Sequence, residues 1–178
     1  MSEKIAVAIL GASGYTGAEL VRMLALHPRV RIAALTADRK AGSTMAEAFP
    51  QFTGLDLPRL IAIGEVDWAS IDLVFCALPH ATTQEVLKAV PASIKIVDLS
   101  ADFRLSDPEA YAYWYGHAHK ALELQAEAVY GITELDRAAV AKARLVANPG
   151  CYTTCGQLPV IPLLEAGAID PDSIVIDA

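Results

Sequence analysis

The fold is decided by residues 4–24, KIAVAILGASGYTGAELVRML. The run Lys4–Leu10 is almost wholly apolar, as expected of a strand that is buried on both faces of a parallel sheet. Three glycines follow within residues 11–17, and residues 18–24 carry apolar side chains at helical spacing. A strand, a glycine-rich turn and a helix in this order predict a dinucleotide-binding unit, in which the N-terminus of the helix holds the pyrophosphate. The spacing G-x-x-G-x-x-G is a variant of the usual fingerprint, so a glycine-rich turn without a ligand is the alternative.

The end of the second predicted strand, Arg31–Leu35, bears on the choice between the two nicotinamide cofactors. An NAD site usually places an acidic side chain there to hydrogen-bond the ribose hydroxyl. Here Asp38 is followed at once by Arg39 and Lys40, two cations that suit the 2′-phosphate of NADP. The pattern therefore favours NADP. Asp38 keeps NAD open, and both cations could belong to a solvated loop.

The rest of the chain repeats the alternation of strands and helices. Further strands are predicted at 60–63, 72–78, 94–99 and 144–147, and a helix is predicted from Thr83 to Val90. The fold class is therefore α/β, with a doubly wound, mostly parallel Rossmann-type sheet. Because such sheets bind ligands beyond the carboxyl ends of their strands, we expect one crevice at that edge.

Cys151 lies in the run NPGCYTT, residues 148–154, where a strand is predicted to end and a helix to begin. Unpaired N–H groups and the positive end of the helix dipole at such a junction favour the thiolate form of a cysteine. The sequence therefore predicts a nucleophile at this position, with a buried, inert cysteine as the alternative. Pro159 and Pro162 are expected to kink the following helix or to split it in two.

Five motifs resemble those of the N-acetyl-gamma-glutamyl-phosphate reductase family, and they occur in the family's order. They are GASGYTGAEL (residues 11–20), ALPH (77–80), DLSADFRL (98–105), VYGITEL (129–135) and NPGCYTT (148–154). The resemblance runs along essentially all 178 residues. Position 153 departs from it, because the family often has proline where this chain has Thr153.

The resemblance implies an NADPH-dependent reduction of N-acetylglutamyl 5-phosphate to the semialdehyde and inorganic phosphate, a step of arginine biosynthesis. Cys151 would attack the acyl phosphate, expel phosphate and form a thioester that hydride then reduces. The implied cofactor residues are Gly11, Ser13, Gly14, Tyr15, Thr16, Gly17, Pro79 and His80, together with Arg39 and Lys40. Weaker candidates for substrate contacts are Ser100, Arg104 and Asn148, although Arg104 could instead form an ion pair with Asp102 or Asp107.

Two alternatives to this function stay open. One is a related acyl-phosphate reductase, of the aspartate-semialdehyde or the aminoadipyl type. The other is a module that binds NADP without chemistry. Reactivity of Cys151 distinguishes the second alternative, since a binding module would carry an unreactive thiol.

The chain is expected to comprise residues 1–148 as the dinucleotide-binding domain and 149–178 as the beginning of an incomplete α+β catalytic and dimer-forming domain. Residues 172–178, DSIVIDA, are predicted to start a strand. The resemblance implies a general acid–base histidine beyond this point, and a homo-oligomer when the protein is full length.

Composition agrees with a cytoplasmic enzyme and adds little to the motifs. Hydrophobic residues make up 54% of the chain, the net charge is −7, and no basic stripe is present, which argues against a nucleic-acid partner. No apolar stretch has the length of a membrane span, and the N-terminus does not resemble a signal peptide. Three cysteines without a C-x-x-C pattern argue against zinc and against a disulfide framework. The pair His117 and His119 lacks accompanying ligands, so no metal site is expected.

Overall fold

The computed structural model describes residues 4–177, and its centre is one parallel sheet. The strands are β1 (Ile5–Leu10), β2 (Val30–Thr36), β3 (Leu60–Ile61), β4 (Leu73–Cys76), β5 (Lys95–Asp98), β6 (Val129–Tyr130) and β7 (Leu145–Ala147). Their order across the sheet is β3-β2-β1-β4-β5-β7-β6, and every neighbouring pair within the described residues is parallel. This arrangement confirms the predicted Rossmann-type α/β fold.

Within residues 4–177, α-helices lie in every connection between consecutive strands except that from β3 to β4, which contains the 3-10 turns Ile63–Glu65 and Trp68–Ser70. The helices are α1 (Tyr15–Leu24), α2 (Met45–Ala48), α3 (Thr83–Lys88), α4 (Pro108–Tyr115), α5 (Leu122–Glu127), α6 (Thr133–Lys142) and α7 (Cys151–Glu165). The chain adds β2 and β3 on one side of β1 and then returns to add β4 on the other. The reversal places a topological switch point between the carboxyl ends of β1 and β4, where doubly wound sheets bind their ligands.

The central strand β1 is covered on both faces, as its apolar run predicts. Val7 and Ile9 pack into the apolar cluster on one face, and Ala8 and Leu10 pack into the cluster on the other. All four side chains are fully buried. Complete burial of one large aliphatic side chain contributes roughly 1.5–3 kcal/mol, so this strand anchors both layers of the core.

Several predicted boundaries shift. Helix α3 ends at Lys88 rather than at Val90, and the strand predicted over 60–63 comprises Leu60–Ile61. The two-residue strand β6 has no counterpart in the sequence prediction, because two residues show no periodicity. It pairs with β7 at the edge of the sheet.

The predictions for the last thirty residues need two corrections. Helix α7 is one helix through Pro159 and Pro162, so of the two effects predicted for these prolines the split is wrong, and the kink stays a prediction. Both prolines are exposed, and water can therefore satisfy carbonyl groups that lose their helical donors. The strand predicted at 172–178 is also not formed: Pro171–Ser173 make a 3-10 turn and residues 174–177 are irregular. Isoleucine and valine favour a strand there, but no neighbouring strand among residues 4–177 pairs with this segment; Ala178 lies outside the described residues.

Candidate active site

Two of the glycines in the turn after β1 are required by steric contacts. Gly11 has φ +80°, and a Cβ on it would lie 2.6 Å from the carbonyl oxygen of Ala77. Gly17 belongs to α1, where a Cβ would lie 2.3 Å from the carbonyl oxygen of Gly11. A side chain at position 17 would therefore push α1 away from the end of β1. These glycines allow the helix to begin directly against the sheet.

The third glycine leaves the N-terminus of α1 open. Gly14 is the exposed N-cap residue, and a Cβ on it would contact Gly11 at an ordinary 3.5 Å. Packing within the protein therefore does not require glycine here. Its missing side chain instead leaves the first N–H groups of α1 accessible, and such groups bind phosphate at the positive end of the helix dipole. This geometry fits the pyrophosphate of a dinucleotide.

A cavity of about 700 Å³ opens at the switch point. Its lining residues stand at or after the carboxyl ends of β1, β2, β3 and β4: Gly11, Ser13, Gly14, Thr36, Ala37, Asp38, Ala62, Ile63, Ala77, Leu78 and Pro79. Within the described chain, the lining thus includes four predicted cofactor residues. The other six, Tyr15, Thr16, Gly17, Arg39, Lys40 and His80, are not among the lining residues.

The loop after β2 carries one acidic and two basic side chains, and only the acidic one lines the cavity. Asp38 lines the cavity, whereas Arg39 and Lys40 are exposed just beyond it. The ammonium group of Lys40 lies 5.6 Å from the ring centroid of Phe49, a cation–π distance. At the start of the loop, the hydroxyl of Thr36 accepts a hydrogen bond from the N–H of Gly11 at 3.1 Å, which ties the two loops together.

Cys151 is the first residue of α7 and comes four positions after the end of β7. Its side chain is exposed, and Gly150 before it is the N-cap of the helix. The hydroxyls of Thr153 and Thr154 both donate to the carbonyl oxygen of Gly150, which fixes the first turn of α7. The thiol therefore stands free at a helix N-terminus, on the same edge of the sheet as the cavity.

The other two cysteines have different surroundings. Cys155, one turn further along α7, is also exposed. Cys76 is fully buried at the end of β4, and burial together with the nearby Asp98 carboxylate raises the pKa of its thiol. Cys76 is thus a buried core cysteine, and we expect its thiol to react slowly.

Arg104 links the strand ends beside Cys151. Its Nε donates to the carbonyl oxygen of Asn148 at 2.9 Å, and its Nη2 donates to that of Leu99 at 3.0 Å. Its Nη1 points to Gly150, where a built Cβ would lie 3.1 Å away. Among residues 4–177 it forms no salt bridge with an acidic side chain, so the ion pairs considered for it are absent there. The guanidinium instead places positive charge next to the N-terminus of α7.

Ser100 and Asn148 have internal partners. Ser100 is buried, donates its hydroxyl to Asp98 Oδ2 at 2.6 Å and accepts from the N–H of Asp102 at 3.1 Å. These bonds occupy the hydroxyl, so the geometry gives no support to a substrate contact. The side-chain amide of Asn148 donates to the carbonyl oxygen of Pro149, and the residue is half-buried beside the junction.

Two buried carboxylates near this edge were not among the predicted site residues. Burial raises the pKa of Asp98 to about 6, although the hydrogen bonds from Ser100 act in the opposite direction. Asp102 is also fully buried. Acidic residues in a DLSAD motif give no signal that they face inward, because carboxylates are normally exposed.

Of the two histidines His117 and His119, His119 is buried and packs beside Asp102. Burial lowers its pKa, its Nδ1 accepts from the N–H of Ala121, and its Nε2 therefore donates to the carbonyl oxygen of Asp102 at 2.9 Å. The described residues contain no group of three or more histidine, cysteine or acidic side chains able to hold a metal ion. A search of the same residues finds no helix long and apolar enough to cross a membrane.

Comparison with known proteins identifies the family. The profile of the semialdehyde dehydrogenase NAD-binding domain matches residues 6–143. The chain belongs to this family of nicotinamide-dinucleotide-binding domains. It is 67% identical to an N-acetyl-gamma-glutamyl-phosphate reductase of Afipia carboxidovorans, over all of this chain and 52% of that protein. It is 65% identical to the protein of the same name from Rhodospirillum rubrum, again over all of this chain and 52% of the relative.

The chain thus spans about half the length of the curated relatives it matches. Among solved structures, it resembles the aspartate semialdehyde dehydrogenase of Candida albicans, crystallised with NADP. That likeness has a TM-score of 0.60 at 19% identity, over 94% of this chain and 48% of the other. At this level of identity, it shows a shared fold.

Proposed function

We propose that this chain supplies the cofactor site and the nucleophile of an NADPH-dependent reductase that converts N-acetylglutamyl 5-phosphate to N-acetylglutamate 5-semialdehyde and inorganic phosphate. The names of relatives that are 67% and 65% identical support the substrate over the aspartyl and aminoadipyl alternatives. The observation that carries the proposal is the position of Cys151: exposed, first in α7, and on the same sheet edge as the cavity.

Cys151 would act as the nucleophile. Its thiolate attacks the acyl carbon, the bond from that carbon to the phosphate oxygen breaks, and a thioester remains on Sγ while phosphate leaves. Arg104, with Nη1 directed at Gly150, would stabilise negative charge on the departing phosphate. After reduction of the acyl group, the carbon–sulfur bond breaks, the aldehyde leaves and the thiolate is restored.

The cavity residues fit a nicotinamide dinucleotide, which supplies the hydride when it is bound. The open N-terminus of α1 at Gly14 would receive the pyrophosphate, and Ala77, Leu78 and Pro79 would form the opposite wall. We infer NADP as the preferred form, because Arg39 and Lys40 follow the cavity residue Asp38 directly and are exposed, so that their positive charge would attract a 2′-phosphate. Comparing the dissociation constants of NADPH and NADH tests this preference: equal values would refute it, and tighter binding of NADH would assign the loop to NAD.

The first measurement is the intact mass of the protein isolated from its natural source, because it defines the species to assay. That protein is then tested for phosphate-dependent reduction of NADP with N-acetylglutamate semialdehyde. We expect Cys151→Ser to lower kcat by at least about 1,000-fold while the dissociation constant of NADPH stays within about 2-fold, since the thiol forms the covalent intermediate and does not line the cavity.

Cys155→Ser is the matched control, because Cys155 is exposed on the same helix and has no role in the proposed chemistry. It should retain activity. Activity that survives in Cys151→Ser would refute the thioester mechanism. Tight NADPH binding by a wild-type protein with no activity toward acyl phosphates would favour the non-catalytic binding module instead.

Three further expectations stay predictions. They are the domain boundary between residues 148 and 149, homo-oligomer formation by the full-length protein, and location in the cytoplasm. The segment after the boundary is α7 with a short 3-10 turn. The relatives' names give neither an oligomeric state nor a compartment.

A further inference from the structure

The turn at Pro79–Thr82, after β4, carries an unusual backbone conformation. Ala81 has φ +68°, and it is the one non-glycine residue with positive φ within residues 4–177. The N–H of Thr82 donates to the carbonyl oxygen of Pro79 at 3.4 Å, so Ala81 is the third residue of a four-residue turn. Positive φ at that position normally calls for glycine. The turn is therefore strained unless other contacts hold it.

One contact that holds this turn comes from Asp102, 21 positions further along the chain. The N–H of Ala81 donates to Asp102 Oδ1 at 2.9 Å. The same oxygen accepts the hydroxyl of Tyr111 at 2.8 Å, and burial of that phenol raises its pKa, so it remains an O–H donor. Asp102 and Tyr111 are both fully buried. A carboxylate shielded from water thus fixes the backbone of the strained residue.

The acceptor is itself held in place by neighbouring elements. Gln84 Nε2 donates to the hydroxyl of Tyr111 at 2.7 Å, and Gln84 Oε1 accepts from the N–H of Lys120 at 2.6 Å. His119 donates to the main-chain carbonyl of Asp102. These bonds join α3, α4 and the loop before α5 around a single carboxylate.

This carboxylate is not optimised for stability. Its second oxygen, Oδ2, is buried and has no hydrogen-bond partner within the described chain. A buried acidic group with an unpaired oxygen carries a desolvation penalty that its hydrogen bonds do not fully offset. The strained turn and the partly satisfied acid coincide at the loop that forms one wall of the cavity, where Pro79 lies.

We propose that Asp102 is a positioning residue of the cofactor site: by accepting the N–H of Ala81, it holds the Pro79–Thr82 turn, and with it Pro79 and His80, in the shape that binds the nicotinamide cofactor. The inference rests on the proposed use of the cavity as the NADPH site. Asp102 touches neither cofactor nor substrate in this role. Its effect reaches the site through the conformation of one residue, Ala81.

The test is a rescue experiment at Ala81, read by NADPH fluorescence titration. Asp102→Ala removes the acceptor and is expected to raise the dissociation constant of NADPH about 10-fold, because the strained turn then relaxes. Glycine adopts positive φ without strain, so adding Ala81→Gly to Asp102→Ala should restore the dissociation constant to within about 3-fold of wild type. Asp102→Asn keeps one acceptor oxygen and should bind NADPH nearly as wild type does.

Hydrogen–deuterium exchange of the Ala81 amide gives a readout without cofactor. Exchange should be slow in wild type and in Asp102→Asn, and fast in Asp102→Ala. If Asp102→Ala does not fold, Asp102→Leu with Tyr111→Phe removes the same acceptor while filling its volume with apolar atoms. The rescue by Ala81→Gly is then measured in that background.

Distinct results separate failure of this inference from failure of the cofactor assignment. Wild-type protein that binds no nicotinamide dinucleotide would overturn both. Wild-type protein that binds NADPH, with Asp102→Ala binding it equally well, would overturn the positioning role alone. The same holds if affinity is lost but Ala81→Gly does not restore it, because the loss would then come from general damage to the fold.

Discussion

The region from β1 to α1 and the helix α7 both place a functional group at the same edge of the sheet, but they are built differently. The first is packed on both sides, and its side chains Val7 and Leu10 are fully buried. Helix α7 buries none of its residues, and Tyr152 and Leu163 on it are exposed. The proposed cofactor site is thus built directly against the core, whereas the proposed nucleophile is carried by a helix that the rest of the described chain barely covers.

This difference implies that substitutions in one region can change the stability of the fold, and substitutions in the other can change the reactivity of the thiol. Changes near β1 should act on the free energy of unfolding, and changes on α7 should act on reactivity. Few polar bonds fasten the start of α7; one joins the hydroxyl of Tyr130 to that of Thr153 at 3.2 Å.

The largest expected difference is in thiol reactivity. Cys151 and Cys155 on α7 are exposed, whereas Cys76 in β4 is buried and has a raised pKa. We expect iodoacetamide to label Cys76 in the native protein at least about 1,000-fold more slowly than Cys151, because labelling requires opening of the core. Peptide mass spectrometry over a time course measures the rates. Labelling in urea, where all three should react alike, is the control, and equal rates in the native protein would remove the contrast.

Matched glycine substitutions in the two helices should change stability in opposite directions. Gly17→Ala would place Cβ 2.3 Å from the Gly11 oxygen and 2.6 Å from Cα of Ala12, so we expect a loss of about 3 kcal/mol in the free energy of unfolding. Gly156→Ala in α7 meets Ile176 at an ordinary 3.5 Å and should gain up to about 1 kcal/mol from helix propensity. Urea unfolding measures both. A Gly156→Ala variant as unstable as Gly17→Ala would mean that α7 is packed as tightly as α1.

The third expected effect concerns pH and the buried carboxylate of Asp98, which lies at the end of β5 between the two regions. Its pKa is raised from 3.8 to about 6, so the folded protein retains a proton that the unfolded chain releases earlier. The stabilisation is complete below about pH 3.8 and is lost as the pH rises through 6, a change on the order of 2–3 kcal/mol. Asp98→Asn removes the titration. The difference in unfolding free energy between wild type and variant should therefore fall from pH 4 to pH 7, and a difference independent of pH would show that Asp98 titrates normally.

The sequence predicts those parts of the fold and site that depend on local pattern. The strand, turn and helix of residues 4–24 are recognisable because apolar periodicity and glycine spacing lie within one short window. The junction at Cys151 is recognisable for the same reason. The surroundings of Arg104 cannot be recognised from the sequence. Its hydrogen-bond acceptor at Asn148 is 44 positions away and is a backbone carbonyl, a group that every residue has.

Other features depend on packing that no single segment encodes. Asp98 and Asp102 look like surface acids until the sheet and α4 close over them. The strand predicted at 172–178 is not formed, and this too depends on packing. β-branched residues become a strand only where a neighbouring strand pairs with their backbone.

The strand order also fixes a distance. β5 lies between β4, whose end forms one wall of the cavity, and β7, which leads to Cys151. Neighbouring strands are about 4.8 Å apart, so the two ends are separated by about 10 Å across the sheet. That width comes from backbone hydrogen bonding and is the same whatever side chains the three strands carry. Substitutions can therefore change the loops that follow these strand ends, whereas the separation of the ends themselves changes only if a strand between them is gained or lost.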